Sequence, residues 1–278
     1  MKKIFLSTML FCVVNILFSQ DVAKSLKYTS NNKGKFFVFW GGNRENFSKS
    51  DIRFVGNNYD FTLYNVPAVD RPKGWHIDYI NPARMTIPQT NLKIGYFITN
   101  KYNIAIGVDH MKYVMLQDVA VRYSGTYPNA GSYGETLPNN QVLLTENFLT
   151  FEHTDGLNFV NAEFSRVDDI STIFKLPNTD KVQINLTEGI GFGFMYPKTN
   201  AQIIGKERYD DYSVSGFGAS AKVGLNVTFY KYFFIQTELK GGYIEMNSIR
   251  TTADKADSAM QNFFFFQKII AFGGIFRL

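Results

Sequence analysis

Cysteine is almost absent from this chain of 278 residues. The only one, Cys12, lies in an apolar stretch at the N-terminus. Phe11 stands there where a lipoprotein acceptor site carries a small residue. The remainder therefore has neither disulfide nor thiol chemistry, which suits an oxidising compartment. Long hydrophobic runs are missing too. Beyond the N-terminus no segment approaches 18 consecutive apolar residues, which excludes helical membrane spans. Excess charge of one sign is small: 29 Lys and Arg stand against 24 Asp and Glu. Without Lys2 and Lys3 the excess is +3 and dispersed, which argues against a nucleic-acid partner. Neither G-x-S-x-G nor H-E-x-x-H occurs. The acidic pairs Asp168-Asp169 and Asp210-Asp211 lack the spacing of a calcium loop. No catalytic, cofactor or metal set is therefore assigned, and nothing repeats at a solenoid period.

What is present begins with a leader. Lys2 and Lys3 precede an apolar run from Ile4 to Phe18, and Ser19 is a small residue before Gln20. This predicts a signal peptide over 1–19 and Sec-dependent export. A short periplasmic segment is expected over 20–33, with a barrel domain over 34–278.

The other end is as informative. The stretch MQNFFFFQKIIAFGGIFRL (260–278) alternates apolar with small or polar residues, with Phe276 two places from the end. A period of two running to the end of the chain suits a lipid-facing closing strand. In water it would be a greasy sheet edge. Between Gly34 and Leu278 eight alternating segments follow one another: 34–47, 89–99, a third ending near Leu116, 157–174, 181–196, 213–230, a seventh ending near Ser248, and the last. The connections between them are short and long in turn. This predicts an all-β fold, an eight-stranded antiparallel transmembrane β-barrel with extracellular β-hairpin loops, both termini facing the periplasm. IRFV and YDFTLYNV around GNN read as one such hairpin. Sixteen tyrosines and 27 phenylalanines would supply aromatic girdles.

Alternation assigns the faces. Leu92, Ile94, Tyr96, Ile104, Ile106, Val223 and Leu225 should face lipid, whereas Lys93, Asp109, Lys222, Glu238 and Lys240 should point into the lumen. Eight strands enclose a space that side chains fill. These five charges are therefore expected to form a paired network, since an unpaired charge there is costly. A three-residue turn at Asn100-Lys101-Tyr102 would set Lys93 opposite Asp109. A turn at Tyr230-Lys231-Tyr232 would set Lys222 opposite Lys240, with Glu238 bridging the two lysines. Glu188 falls on the lipid-facing parity, and a bulge at Gly189 is expected to turn it inward.

Two further groups could carry chemistry. Glu152, His153 and Asp155 cluster in FEHTDGLN and form a possible surface site. Loop 48–88 carries Arg53, Arg71, Lys73, Arg84 and Trp75, and with Lys112 it could meet lipopolysaccharide phosphates. The expected partners are outer-membrane lipid and lipopolysaccharide. The expected role is structural, adhesive or surface-interacting. The alternatives are a narrow channel or small-solute uptake protein, and a lipid-modifying enzyme using His153 or His110. A soluble lipocalin-like barrel would need an apolar interior, whereas here the polar parity carries the charges.

Through KFFVFWGGNRENFSKSDIRFVGNNYDFTLYNV, GVDHMKYVM, FEHTDGLN and FGGIFRL the chain resembles an outer-membrane β-barrel family of Bacteroidota. Its architecture is similar to that of the small OmpA/OmpX-type barrels. The resemblance implies fold and cell outer membrane location, and brings no catalytic or binding residue with it. The terminal Phe276-Arg277-Leu278 departs from barrels that end on the aromatic residue itself.

Overall fold

The computed structural model describes residues 28–74, 89–128, 133 and 136–278, so the expected leader lies outside the described residues. Eight long strands form the wall: β1 (Phe36–Phe47), β2 (Thr90–Phe97), β3 (Tyr102–Met115), β4 (Leu149–Asp169), β5 (Val182–Met195), β6 (Gly216–Phe229), β7 (Phe233–Arg250) and β8 (Ser258–Phe276). Each pairs antiparallel with the next, and β8 returns to β1, so the sheet closes on itself. Closure leaves the wall without an exposed edge.

The register fixes the shape. Partners followed round the ring from Phe37 are Gly95, Ala105, Glu163, Gly191, Ser220, Gly242 and Phe265. Phe265 then pairs with Phe47, ten residues further along β1. An eight-stranded barrel with that stagger tilts its strands by about 40° and has room inside for side chains alone.

Alternation separates the faces. Ile94, Ile106, Phe164, Ile190, Phe192, Val223, Leu239, Phe264 and Ile270 are exposed outward, whereas Lys93, Asp109, Glu163, Glu238, Lys240 and Gln267 are buried inward. Exposed apolar side chains on all eight strands form a continuous belt. Such a belt, about 25 Å tall, matches the hydrocarbon layer. The chain therefore spans a membrane with its strands, as outer-membrane barrels do.

Two expectations are corrected. Phe97 pairs with Asn103 and Asn91 with Asp109, so Lys93 lies opposite Gly107 and not opposite Asp109. The cause is Thr99, whose hydroxyl accepts the N–H groups of Lys101 (3.2 Å) and Tyr102 (2.9 Å) and draws Thr99 into the turn. The faces survive, because the register moves by two. Glu188 does not turn inward. The ladders of β5 with β4 and β6 run unbroken past it, so there is no bulge. It stays on the outward parity, directly opposite Arg166.

Short connections close one end of the barrel. At the tightest, Tyr230 and Lys231 take positive φ of 47° and 72°, which lets β6 return directly into β7. From the other end the wall continues outward. Above Phe265, β8 leaves β1 and pairs with Ser50–Gly56, which hairpins into Tyr59–Val66 and continues through Ala120–Thr126 to Gln141–Leu143. The upper parts of β3 and β4 carry Ala68–Asp70, Lys198–Ile203 and Tyr209–Tyr212 on the opposite side. The two arms face each other over an apolar core that includes Phe54, Phe61, Leu63, Met111, Phe148 and Phe151. Phe54 meets Phe151 edge-on at 5.4 Å, and Phe61 lies 5.7 Å from Phe148. Fully burying side chains of this size contributes roughly 1.5–3 kcal/mol each, which makes these hairpins a packed body.

Candidate functional site

The lumen is the obvious place for function, and the inward residues of β7 show how it is filled. Upward from the short turns come Phe234, Gln236, Glu238, Lys240, Gly242, Ile244 and Met246. An apolar and amide layer is thus followed by a charged layer and then by the extracellular core.

The charged layer holds three lysines and three carboxylates. Lys93 Nζ donates to Glu238 Oε1 at 2.8 Å and lies 3.1 Å from Glu163. Lys222 Nζ donates to Glu163 Oε2 at 2.5 Å and to Glu238 Oε2 at 3.4 Å. Lys240 Nζ donates to Glu163 Oε1 and to Asp109 Oδ2, both at 2.6 Å. The expected residues Lys93, Asp109, Lys222, Glu238 and Lys240 thus converge, but the pairings differ. Asp109 belongs to Lys240, and Lys93 belongs to Glu238. Lys222 and Lys240 are direct cross-strand partners, and Glu163, not Glu238, bridges them. Removing six charges from water is expensive, and only complete pairing with good geometry offsets it. Gly189 takes part by being small: a Cβ there would come within 3.1 Å of Lys222 Cε and 2.5 Å of Ser165 Oγ.

Glu163 is the member of this layer that sequence reasoning missed. Asp109 also accepts from Asn91 (2.5 Å) and Asn161 (3.1 Å). Asn43 donates to Asn91 at 2.7 Å, and Gln267 donates to Glu45 at 2.9 Å. Gln89 donates to both Glu45 and Asp70. The period-two alternation of 157–174 places Glu163 on the inner face with Asn161 and Ser165, so the signal was there.

Below the charges a cavity of about 60 Å³ remains, lined by Phe39, Phe97, Ser165, Thr187 and Phe234 among others. The segment before β1 covers it. Thr29 Oγ1 meets Thr179 Oγ1 and Asp180 Oδ1 at 3.0 Å each, and Gln183 donates to the Thr29 carbonyl at 3.2 Å. Lys35 Nζ donates to the Tyr28 carbonyl at 2.8 Å.

The second candidate, Glu152, His153 and Asp155, does not come together. His153 is fully buried and points into the extracellular core. Its Nδ1 meets Thr199 Oγ1 at 2.9 Å, and its Nε2 faces Gln261 Oε1 at 3.5 Å. Gln261 in turn donates to Ser50 Oγ (2.9 Å) and to Tyr113 Oη (2.7 Å). Burial pushes the imidazole down to about 4, against the Gln261 contact, which pulls upward. Glu152 points the other way and accepts from Asn200 at 2.6 Å, while Asp155 lies 3.4 Å from Lys198. Neighbouring strand residues face opposite sides, which parts Glu152 from His153, while Asp155 falls where the β3–β4 ladder breaks between His153 and Leu157 and is exposed. His110 sits elsewhere, with Nδ1 2.7 Å from Asn158 Oδ1. Of the basic loop residues, Arg53 pairs with Asp60 at 2.7 Å and Arg71 with Glu152 at 3.2 Å. Trp75 and Arg84 lie outside the described residues. Among the described residues no cluster of three side chains could hold a metal ion.

No family model matches the chain, and no curated protein matches it either. Solved outer-membrane proteins do. OprG of Pseudomonas aeruginosa has a TM-score of 0.37 at 7% identity, covering 90% of this chain and 99% of that one. Ail, the attachment invasion locus protein of Yersinia pestis, has a TM-score of 0.33 at 12% identity, covering 88% and 99%. Neisserial surface protein A has a TM-score of 0.29 at 9% identity, covering 84% and 96%. The reading of this chain rests on its own geometry.

Proposed function

We propose that this chain is a non-conducting outer-membrane anchor that holds a rigid β-sheet body above the membrane, with a structural or surface-interaction role. One observation carries the reading: above the small cavity near the short turns, two successive layers of side chains fill the lumen. The paired charges of Lys93, Glu163, Glu238 and Lys240 occupy its middle. Directly above them Phe159, Phe263, Phe265 and Ile244 belong to the same core as the extracellular hairpins. A channel would need a continuous wet path, and this arrangement supplies an apolar stopper instead. Long extracellular hairpins that spend their apolar residues on a core of their own hold a fixed surface toward solvent, which suits recognition or scaffolding. Outer-leaflet lipid, lipopolysaccharide included, is the partner that the outward belt implies.

Orientation at the cell surface is the testable part. With no cysteine outside the expected leader, single cysteines report cleanly. A membrane-impermeant maleimide should label Asn58→Cys, at an exposed hairpin tip, on intact cells. Lys101→Cys, in a short turn at the opposite end, should be labelled only after the outer membrane is permeabilised. The reverse pattern would overturn the proposal.

A further inference from the structure

The cavity near the short turns is lined by positive charge that acids only partly answer. Lys35, Lys93, Lys222 and Lys231 line it, and among the described residues no carboxylate does. Three of these lysines are compensated. Lys93 and Lys222 each meet Glu163 and Glu238 in the layer above. Lys231 lies 3.5 Å from Asp180 at the mouth. Lys35 is the exception: it is 1% exposed and meets no carboxylate among the described residues. Its Nζ donates to the Tyr28 carbonyl at 2.8 Å and to Asn32 Oδ1 at 3.0 Å, and lies 3.9 Å from the centre of the Tyr28 ring. Those contacts satisfy donors and leave a whole positive charge standing. A charge buried in this way is costly and calls for an opposite one.

Idle donors line the same cavity. The hydroxyls of Ser165 on β4 and Thr187 on β5 are buried there without a hydrogen-bond partner. Buried polar groups are normally paired, so each calls for a partner. Lys93 and Lys222 have three N–H groups each, and two carboxylates apiece leave one to spare. The volume of about 60 Å³ has room for about four waters, which is the bulk of one small oxyanion. The way in is basic as well. Lys231 is 38% exposed, so solvent reaches the cavity beside it. Lys33, Lys175 and Lys181 are exposed at this end and make no ion pair among the described residues. The acids here are engaged: Asp168 by Arg166 and Lys101, and Asp180 by Thr29 and Lys231. A mouth of one sign raises the local concentration of anions.

We propose that this cavity binds a small oxyanion of phosphate size, held by Lys35 and by the Ser165 and Thr187 hydroxyls. The anion supplies the counter-charge that Lys35 lacks and the acceptors that the two hydroxyls lack. Lysine suits a phosphate as a point charge. The site goes beyond the anchor role and does not depend on which way the barrel is inserted.

Calorimetric titration of the barrel refolded in an uncharged detergent, with inorganic phosphate as the probe, tests it. Wild type should bind one phosphate per chain. K35M keeps the length of the side chain and removes its charge. It should weaken binding about tenfold or more, the worth of one charge-assisted hydrogen bond. The S165A/T187V pair keeps Lys35 and should also weaken binding about tenfold, since two neutral hydrogen bonds are lost. Should K35M not refold, this pair carries the same test. Sodium chloride at matched ionic strength should not compete. Absence of phosphate binding by wild type would overturn the proposal. So would equal binding by wild type and the variants, or full competition by chloride, which would make the effect one of ionic strength.

Discussion

Glu163 and Lys240 meet across the lumen at 2.6 Å, while the second oxygen of the same carboxylate holds Lys222 at 2.5 Å. Lys222 and Lys240 are direct partners in the β6–β7 ladder, and like charges in that position repel. One carboxylate from β4 therefore ties together two strands with which β4 does not pair.

The consequence is a strong asymmetry between removing Glu163 and removing a neutral inward residue. Glu163→Gln should cost about 3–5 kcal/mol, since it leaves buried lysines uncompensated. Urea unfolding of the refolded barrel, followed by its gel-mobility shift, measures this. A cost below about 0.5 kcal/mol, the range of ordinary surface changes, would mean that the lysines find other partners.

The two faces of β6 should respond differently. Val223→Arg puts a charge into the apolar belt and should cost about 2–4 kcal/mol. Ser220→Ala, on the inward parity, should cost little. Asn226→Ser would not be a mild control, although Asn226 is also on the inward parity. Asn226 donates to Gln236 at 3.1 Å and accepts from Asn185 (3.2 Å) and Thr228 (2.8 Å). Equal effects of V223R and S220A would show that inside and outside have been exchanged.

His153 gives the extracellular body an acid sensitivity. Its folded pKa of about 4 lies below the ordinary histidine value of about 6.5. The unfolded chain therefore takes up the proton first, and stability falls as pH drops from about 6.5 toward 4. The full loss is of order 3 kcal/mol. His153→Gln removes the titration and keeps a hydrogen-bonding side chain. Between pH 7 and pH 4 wild type should lose that amount relative to the variant, read from unfolding midpoints at each pH. A pH-independent difference would contradict the burial of a neutral imidazole.

Deleting 270–278 should abolish closure. The deletion removes the β8 residues paired with Phe36–Gly42 of β1 and with Phe233–Thr237 of β7. Such a chain should show no heat-modifiable folded band and no membrane insertion. A normal band would mean that β8 does not close the wall.

Much of this was legible in the sequence because a strand has a period of two. That period gave the eight segments, the inward lysines and the outward stripe of β6, and it needs no knowledge of partners. Exact pairing depends on turn chemistry, and there the reading slipped. The Thr99 hydroxyl caps its own turn and shifts β2 against β3 by two residues, so faces survived while Lys93 and Asp109 parted. Glu188 raised a different problem. Its charge suggested a bulge, but a bulge needs an extra residue in one ladder, and both ladders are continuous. Arg166, placed opposite by a strand about 20 residues away in sequence, is what accompanies it, and no local pattern announces such a pair. The grouping of Glu152 with His153 failed for a reason that was available. Alternation separates Glu152 from His153, as it does any two neighbours on a strand. The apolar extracellular core was least legible, because its members come from hairpins paired over long sequence distances.

The claim that the lumen is shut is tested most directly by electrical recording. The refolded chain, inserted in planar lipid bilayers, is predicted to give no stepwise ion conductance, because the charge layer around Glu163 and the apolar layer around Phe265 both fill the bore. Reproducible conductance steps from the wild-type barrel would contradict the account.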